Sequence, residues 1–183
     1  LAHEIPPVGT GGNTEFADTR TAFDELPKPL KEELLANDYV GAHSLFHSRK
    51  LGSPEFFTNI NPFDYKMSRH RILQRHEPSS RMNLYLAAHC HHIDGASAEK
   101  SAQLLGELMA YATQAKFTIS IPWHGPGDMI IWNNTCVMHK ASGGSFEGRF
   151  RRDMRRTTVH DGSSQAWGLN DPSEVKQGFE VST

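Results

Sequence analysis

A mostly β framework with inserted helices is what this sequence predicts, and three observations predict it. Three strand candidates follow one another: Phe117–Ile121, Met129–Trp132 and Arg151–Val159. A Gly125-Pro126-Gly127-Asp128 turn separates the first two, as a β connection requires. Upstream, a long apolar helix face follows a good cap. Ser97 precedes Leu104, Leu105, Leu108, Met109 and Ala112 at helical spacing.

Leu1–Ile5 reads as the end of a strand, stopped by Pro6-Pro7 and a glycine-rich loop through Gly12. Asp18 is a candidate N-cap for a helix carrying Ala22, Phe23 and Leu26 on one face. Pro29 fits the first turn of a second helix, with Leu30, Leu34 and Leu35 at helical spacing. From Gly52 to Ser80 the chain is rich in Pro, Asn and Arg with little periodicity, which predicts a long surface excursion. Met82–Ala88 reads as a buried strand. The stretch from Gly162, rich in Ser, Gly and Asn, reads as a peripheral tail. With no internal repeat and no linker, the chain is one domain or part of one.

Composition narrows the function classes. The 183 residues are 37% hydrophobic and 22% charged, with a formal charge of -2, so there is no basic excess to bind a polyanion such as nucleic acid. No apolar run reaches the ~20 residues of a membrane-spanning helix. Two cysteines, Cys90 and Cys136, read as reduced thiols of a cytoplasmic protein rather than a disulfide framework. Association into a homo-oligomer is left open. The chain opens on Leu1, which reads as a cut edge. Eleven histidines are the compositional anomaly.

Four local patterns carry the chemistry. GGNTEFADTR (Gly11–Arg20) is on turn chemistry alone a tight turn with a capped exit. WNNTCVMH (Trp132–His139) is a strand-like segment ending in a histidine, a residue type more often structural than a ligand. RFRRDMRRTTV (Arg149–Val159) packs arginines that would ordinarily form a solvated edge. Strand alternation places Arg152, Met154, Arg156 and Thr158 on one face, with Arg151, Asp153 and Arg155 on the other. At ~3.3 Å per residue, Arg152 and Arg156 stand roughly 13–14 Å apart, far enough to grip two different anions. Last, AHCHHIDG (Ala88–Gly95) offers His92-x-Asp94, the spacing of two ligands of a two-histidine, one-carboxylate triad that His139 would complete.

A family resemblance bears on these alternatives. GGNTEFADTRTAFDELP resembles the GG-D-TEF-x-D-x-R-x-A-Y-D-x-LP signature of the taurine/2,4-dichlorophenoxyacetate dioxygenases. WNNTCVMH is similar to their W-D-N-x-x-x-x-H segment, and RRDMRRTTVHD to their terminal R-R-x-x-R-R-x-T. Order and rough spacing agree from about residue 1 to residue 161. The resemblance implies a double-stranded β-helix (jelly-roll) core with flanking helices, of which residues 1–161 are the C-terminal part of the catalytic domain and 162–183 a tail. It implies Fe(II), with 2-oxoglutarate and O2 as cosubstrates, and hydroxylation of a small anionic organic substrate.

By the same resemblance, Thr14 and Arg152 hold the distal carboxylate of 2-oxoglutarate. His139 is the distal iron ligand, Arg156 meets the substrate anion, and His89 or His92 faces the substrate. The gap from His139 to Arg152 runs slightly long, and alternation favours Arg152 over Arg151 for the cosubstrate. Asn133 and Thr135 depart from the Asp and Arg that relatives often carry. The family's His-x-Asp pair lies roughly two dozen residues before the GG-D-T turn, so the fold here is expected to be N-terminally incomplete. His92 and Asp94 are then not expected to bind iron jointly. Two rival readings remain at this point: a self-contained His92/Asp94/His139 site, and a catalytically incompetent remnant or fragment of the fold.

Overall fold

The structure is a computed structural model that describes residues 1–173. Two helices open the fold as expected, the first with a side-chain cap and the second with a first-turn proline. β1 (Ala2–Glu4) and β2 (Thr14–Asp18) precede α1 (Thr19–Asp24), whose N-terminus is capped by the Asp18 carboxylate accepting from the amides of Arg20 and Thr21. Burial pushes that carboxyl upward, but the hydrogen bonds from Arg20 and Thr21 outweigh it and its pKa is lowered. α2 (Lys28–Asn37) carries Pro29 in its first turn, where a missing N–H costs nothing. It buries Leu30 and Leu34 and leaves Leu35 exposed. β3 (Val40–His43) and α3 (Leu45–Gly52) follow.

The expected surface excursion is the main correction. Gly52–Ser80 contains β4 (Ser68–Arg71) and β5 (Leu73–His76), and Ile72 between them is 0% exposed. Ile72 bridges two sheets by its backbone: its N–H donates to Tyr39 and its carbonyl accepts from Tyr85. The stretch before Pro62 and the short link 65–67 remain without regular structure. β6 (Arg81–Leu84) is shorter than the expected Met82–Ala88, because Leu86 turns back to the Leu84 carbonyl. β7 (Cys90–Ile93) leads to α4 (Ala98–Ala112), capped by the Ser97 hydroxyl accepting from the Lys100 amide. Leu104, Leu108 and Ala112 form its buried stripe, at the i, i+4, i+8 spacing of one helix face.

β8 (Thr118–Ile121) and β9 (Val137–Ala141) are present, but Met129–Trp132 forms no strand. The Gly125–Asp128 turn spends its hydrogen bonds on β1 instead: Ala2 and the turn exchange bonds through Gly127 and Asp128. The expected strand Arg151–Val159 contracts to β10 (Asp153–Met154), limited by a partner, β1, of three residues.

All pairing is antiparallel, in sheets ordered β8-β2-β9, β4-β3-β7, β5-β6 and β1-β10. β2 thus sits between strands more than 100 residues downstream, the long-range closure a jelly roll uses. α1, α2 and α4 bury Phe23, Leu34 and Leu108 in one core with Ile72, Leu84 and Ile93 from the sheets. At ~25 cal/mol per Å2 each such side chain contributes roughly 1.5–3 kcal/mol. Past the expected boundary at Gly162, Leu169 and Asn170 hydrogen-bond the backbone of Arg69. The rest of the expected tail, 174–183, lies outside the described residues.

Candidate active site

β2 builds the site because both its neighbours place side chains on the face it presents. Phe16 stands opposite Ile119 on β8 and His139 on β9, and directly opposed antiparallel residues share a face. Thr14, two residues back, opposes Ile121 and Ala141 on that same face. His139 is exposed, with its ring flanked by Trp132 at 4.9 Å and Phe16 at 6.3 Å between centroids. Asn134 fixes the indole of Trp132 by accepting its N–H at 2.5 Å. Although the residue is exposed overall, desolvation of its ring against this wall, and secondarily the Arg156 charge, lower the His139 pKa and so favour the neutral imidazole.

The arginines divide as alternation predicts. Arg151 and Arg155 both pair with Asp153 at 3.3–3.4 Å, and Arg151 reaches Glu4, all at the surface. Arg152 and Arg156 turn the other way. Arg152 donates from Nε to the Gly12 carbonyl at 2.9 Å, and burial lowers its pKa without approaching neutrality. Gly12 has φ +78°, and a Cβ there would meet Pro6 at 3.1 Å and Arg152 at 3.3 Å. Glycine is therefore required both for the turn and for the approach of the guanidinium. Thr14 lies two residues beyond, 7% exposed, its hydroxyl accepting from the Trp123 indole at 3.1 Å. Arg156 donates from Nη1 to Nε2 of His139 at 3.3 Å.

Arg152 is thus brought to Gly12, two residues before Thr14, and Arg156 to His139. His89 joins neither pair. It occupies the turn before β7, with its ring 5.1 Å from that of His43, and no hydrogen bond or ring contact links it to His139, Arg152 or Arg156. His92 lies on β7 of the other three-stranded sheet, and Asp94 follows its last residue. Asp94 is engaged by Arg69 at 2.9 Å and by His92 at 3.4 Å. Among the described residues no group of three His, Cys, Asp or Glu side chains is placed to hold a metal ion.

The reading from sequence missed the buried cluster around His43 and the role of Trp123. His43 is polar in sequence yet 6% exposed, ringed by His70, His89 and Tyr85. Trp123 follows Ile121 by two residues and Ile121 registers with Thr14, a pairing that only the fold supplies.

Comparison with known proteins decides the family. Residues 1–158 match the profile "Taurine catabolism dioxygenase TauD, TfdA family". The chain belongs to the TauD/TfdA family. It is 36% identical over 161 residues to the alpha-ketoglutarate-dependent 2,4-dichlorophenoxyacetate dioxygenase of Burkholderia sp. (strain RASC), covering 85% of this chain and 50% of that protein. It is 31% identical over 147 residues to the (S)-phenoxypropionate/alpha-ketoglutarate-dioxygenase of Sphingobium herbicidovorans, covering 77% and 50%. Among solved structures, AAD-2 in complex with Mn(II) and N-oxalylglycine superposes with TM-score 0.69 at 34% identity, over 84% of this chain and 58% of that one. The fold is that of TauD-type dioxygenases with a jelly-roll core. The chain spans about half the length of the curated relatives it matches.

Proposed function

We propose that this chain is the C-terminal part, residues 1–161, of the catalytic domain of an Fe(II)/2-oxoglutarate-dependent dioxygenase acting on a small anionic organic substrate, a carboxylate or sulfonate. The observation that carries the reading is the pairing of two arginines with two sequence blocks: Arg152 on the Gly12–Thr14 turn and Arg156 on His139. Relatives named for 2,4-dichlorophenoxyacetate and (S)-phenoxypropionate dioxygenation support the substrate class.

Bound iron would supply the oxidising chemistry, O2 activation coupled to conversion of 2-oxoglutarate to succinate and CO2. The residues of this chain bind and orient. Arg152 presents its terminal nitrogens to the distal carboxylate of 2-oxoglutarate, its Nε being committed to Gly12, and the Thr14 hydroxyl donates beside it. His139 would offer one imidazole to the metal. Arg156 releases His139 and takes the substrate anion. Two buried unpaired thiols, Cys90 and Cys136, fit a cytoplasmic setting.

Calorimetric titration of 2-oxoglutarate into the chain tests the reading. Binding that weakens by one to two orders of magnitude in Arg152→Ala is expected. An affinity indifferent to that substitution would remove the cosubstrate site.

A further inference from the structure

We propose that Trp123 is a positioning residue for the cosubstrate, fixing the Thr14 hydroxyl as a proton donor to a carboxylate. The inference rests on the reading of Thr14 as a 2-oxoglutarate contact and goes beyond it. A threonine hydroxyl carries one proton and two acceptor lone pairs, whereas an indole N–H only donates. Trp123 Nε1 lies 3.1 Å from Thr14 Oγ1, so it occupies one lone pair and forbids the hydroxyl proton from pointing back at the indole. Among the described residues no acceptor takes the Thr14 proton. Thr14 is 7% exposed, so water has little access to scramble its orientation.

The consequence for an anion follows directly. A freely rotating hydroxyl presents lone pairs to an approaching carboxylate part of the time, and those repel it. A hydroxyl whose acceptor side is already engaged presents its proton, and accepting one hydrogen bond polarises the group toward donating another. Arg152, held two residues away on Gly12, supplies the charge. Trp123 supplies the orientation.

The scaffold holds Trp123 for this purpose from two sides. Ile121 registers with Thr14, Pro122 stiffens the exit of β8, and Trp123 falls on the Thr14 face two residues later. The turn that follows is closed by the Asp128 carboxylate accepting from the amides of His124 and Gly125. Its other end is pinned to Ala2. β1 pairs in turn with β10, next to Arg152, and Leu1 exchanges hydrogen bonds with Arg155. One short strand therefore fixes the indole and the arginine relative to each other.

The test uses the chain with 15N-labelled tryptophan and 2-oxoglutarate as the probe. Wild type should bind 2-oxoglutarate, and the Trp123 indole resonance should move on titration. Trp123→Phe should weaken binding five- to twentyfold. Thr14→Val should weaken it comparably, and Trp123→Phe added to Thr14→Val should cost no more than a further twofold. Additive losses would show a merely structural indole and overturn the proposal, as would wild-type affinity in Trp123→Phe. If Trp123→Phe does not fold, the wild-type and Thr14→Val spectra decide. An indole resonance that ignores both the Thr14 substitution and the ligand overturns the inference. No binding by wild type would overturn the cosubstrate reading itself, which separates the two failures.

Discussion

Arg156 and His139 face each other across 3.3 Å, guanidinium Nη1 to imidazole Nε2, although 17 residues separate them. The contact makes the arginine the nearest charge to the one histidine proposed as an iron ligand. An anion drawn to Arg156 would therefore be delivered beside the metal. In an enzyme with all iron ligands present, Arg156→Ala should raise the requirement for the primary substrate by one to two orders of magnitude, roughly 1.5–3 kcal/mol of charge-assisted hydrogen bonding. The 2-oxoglutarate requirement should change less than threefold, and uncoupled 2-oxoglutarate turnover should persist. Equal losses for both would make the arginine structural.

Arg152 and Arg151 are adjacent but not equivalent. Arg152 is partly buried on Gly12, while Arg151 makes surface ion pairs with Glu4 and Asp153. Exposed pairs of that kind contribute ~0–1 kcal/mol. Calorimetry on Arg151→Ala should therefore show 2-oxoglutarate affinity within about threefold of wild type, against the large loss in Arg152→Ala. The reverse ranking would overturn the face assignment.

How much of this was legible in the sequence depended on whether local chemistry or a distant partner decided the outcome. Asp18 and Ser97 announce their helices because a cap is satisfied within three residues, and Pro29 announces its own because a first-turn proline gives up no hydrogen bond. The two faces of Arg151–Arg156 were legible because side-chain period survives even where pairing shrinks to β10. β4 and β5 were not legible: SRHR and LQRH bury His70, Gln74 and His76, so no apolar alternation marks them. Met129–Trp132 looked like a strand by composition, yet Ile131 is 82% exposed and among the described residues no strand pairs with it. His89 likewise could be placed near the site only by resemblance, since its ring is oriented by His43, which lies far away in sequence.

Buried His43 should make the fold sensitive to acid. Burial first, then the charges of His89 and His70, lower its pKa from 6.5 to about 3, and neither ring nitrogen has a hydrogen-bond partner among the described residues. The unfolded chain takes up this proton near its ordinary pKa while the folded chain resists. The stabilising contribution is thus complete above about pH 6.5 and is lost progressively as pH falls toward about 3. At ~1.4 kcal/mol per unit the full contribution is on the order of a few kcal/mol. Urea denaturation at pH 7 and pH 5 should show a smaller drop in His43→Leu than in wild type. An equal drop would assign the acid sensitivity to the other histidines whose pKa values are lowered, His47, His76, His89, His91 and His139.

Cys90 should be chemically silent in the native state. Burial, with Asp94 adding a lesser push, raises its thiol to about 12, so almost no thiolate exists at neutral pH. Cys136 is also raised, chiefly by burial. A thiol reagent at pH 8 should label neither cysteine within the time that labels both in denaturant. Fast native labelling of Cys90 would mean that β7 opens readily from β3.

Ile72 gives the sharpest test of the region expected to be surface. A surface isoleucine in a loop would change stability by less than about 0.5 kcal/mol on truncation. Here Ile72 is 0% exposed, packs in the core shared with Leu84 and Ile93, and bridges two sheets through its own N–H and carbonyl. Both bridging hydrogen bonds are main-chain, so Ile72→Ala leaves them possible and removes only packing. The expected loss is about 2–5 kcal/mol, with Ile72→Val losing about 0.5–1.5 kcal/mol, because the cost tracks the cavity left behind. The midpoint of urea denaturation should therefore fall in the order wild type, Val, Ala with little change in slope. A midpoint unmoved by Ile72→Ala would return the segment to the surface and detach β4 and β5 from the core.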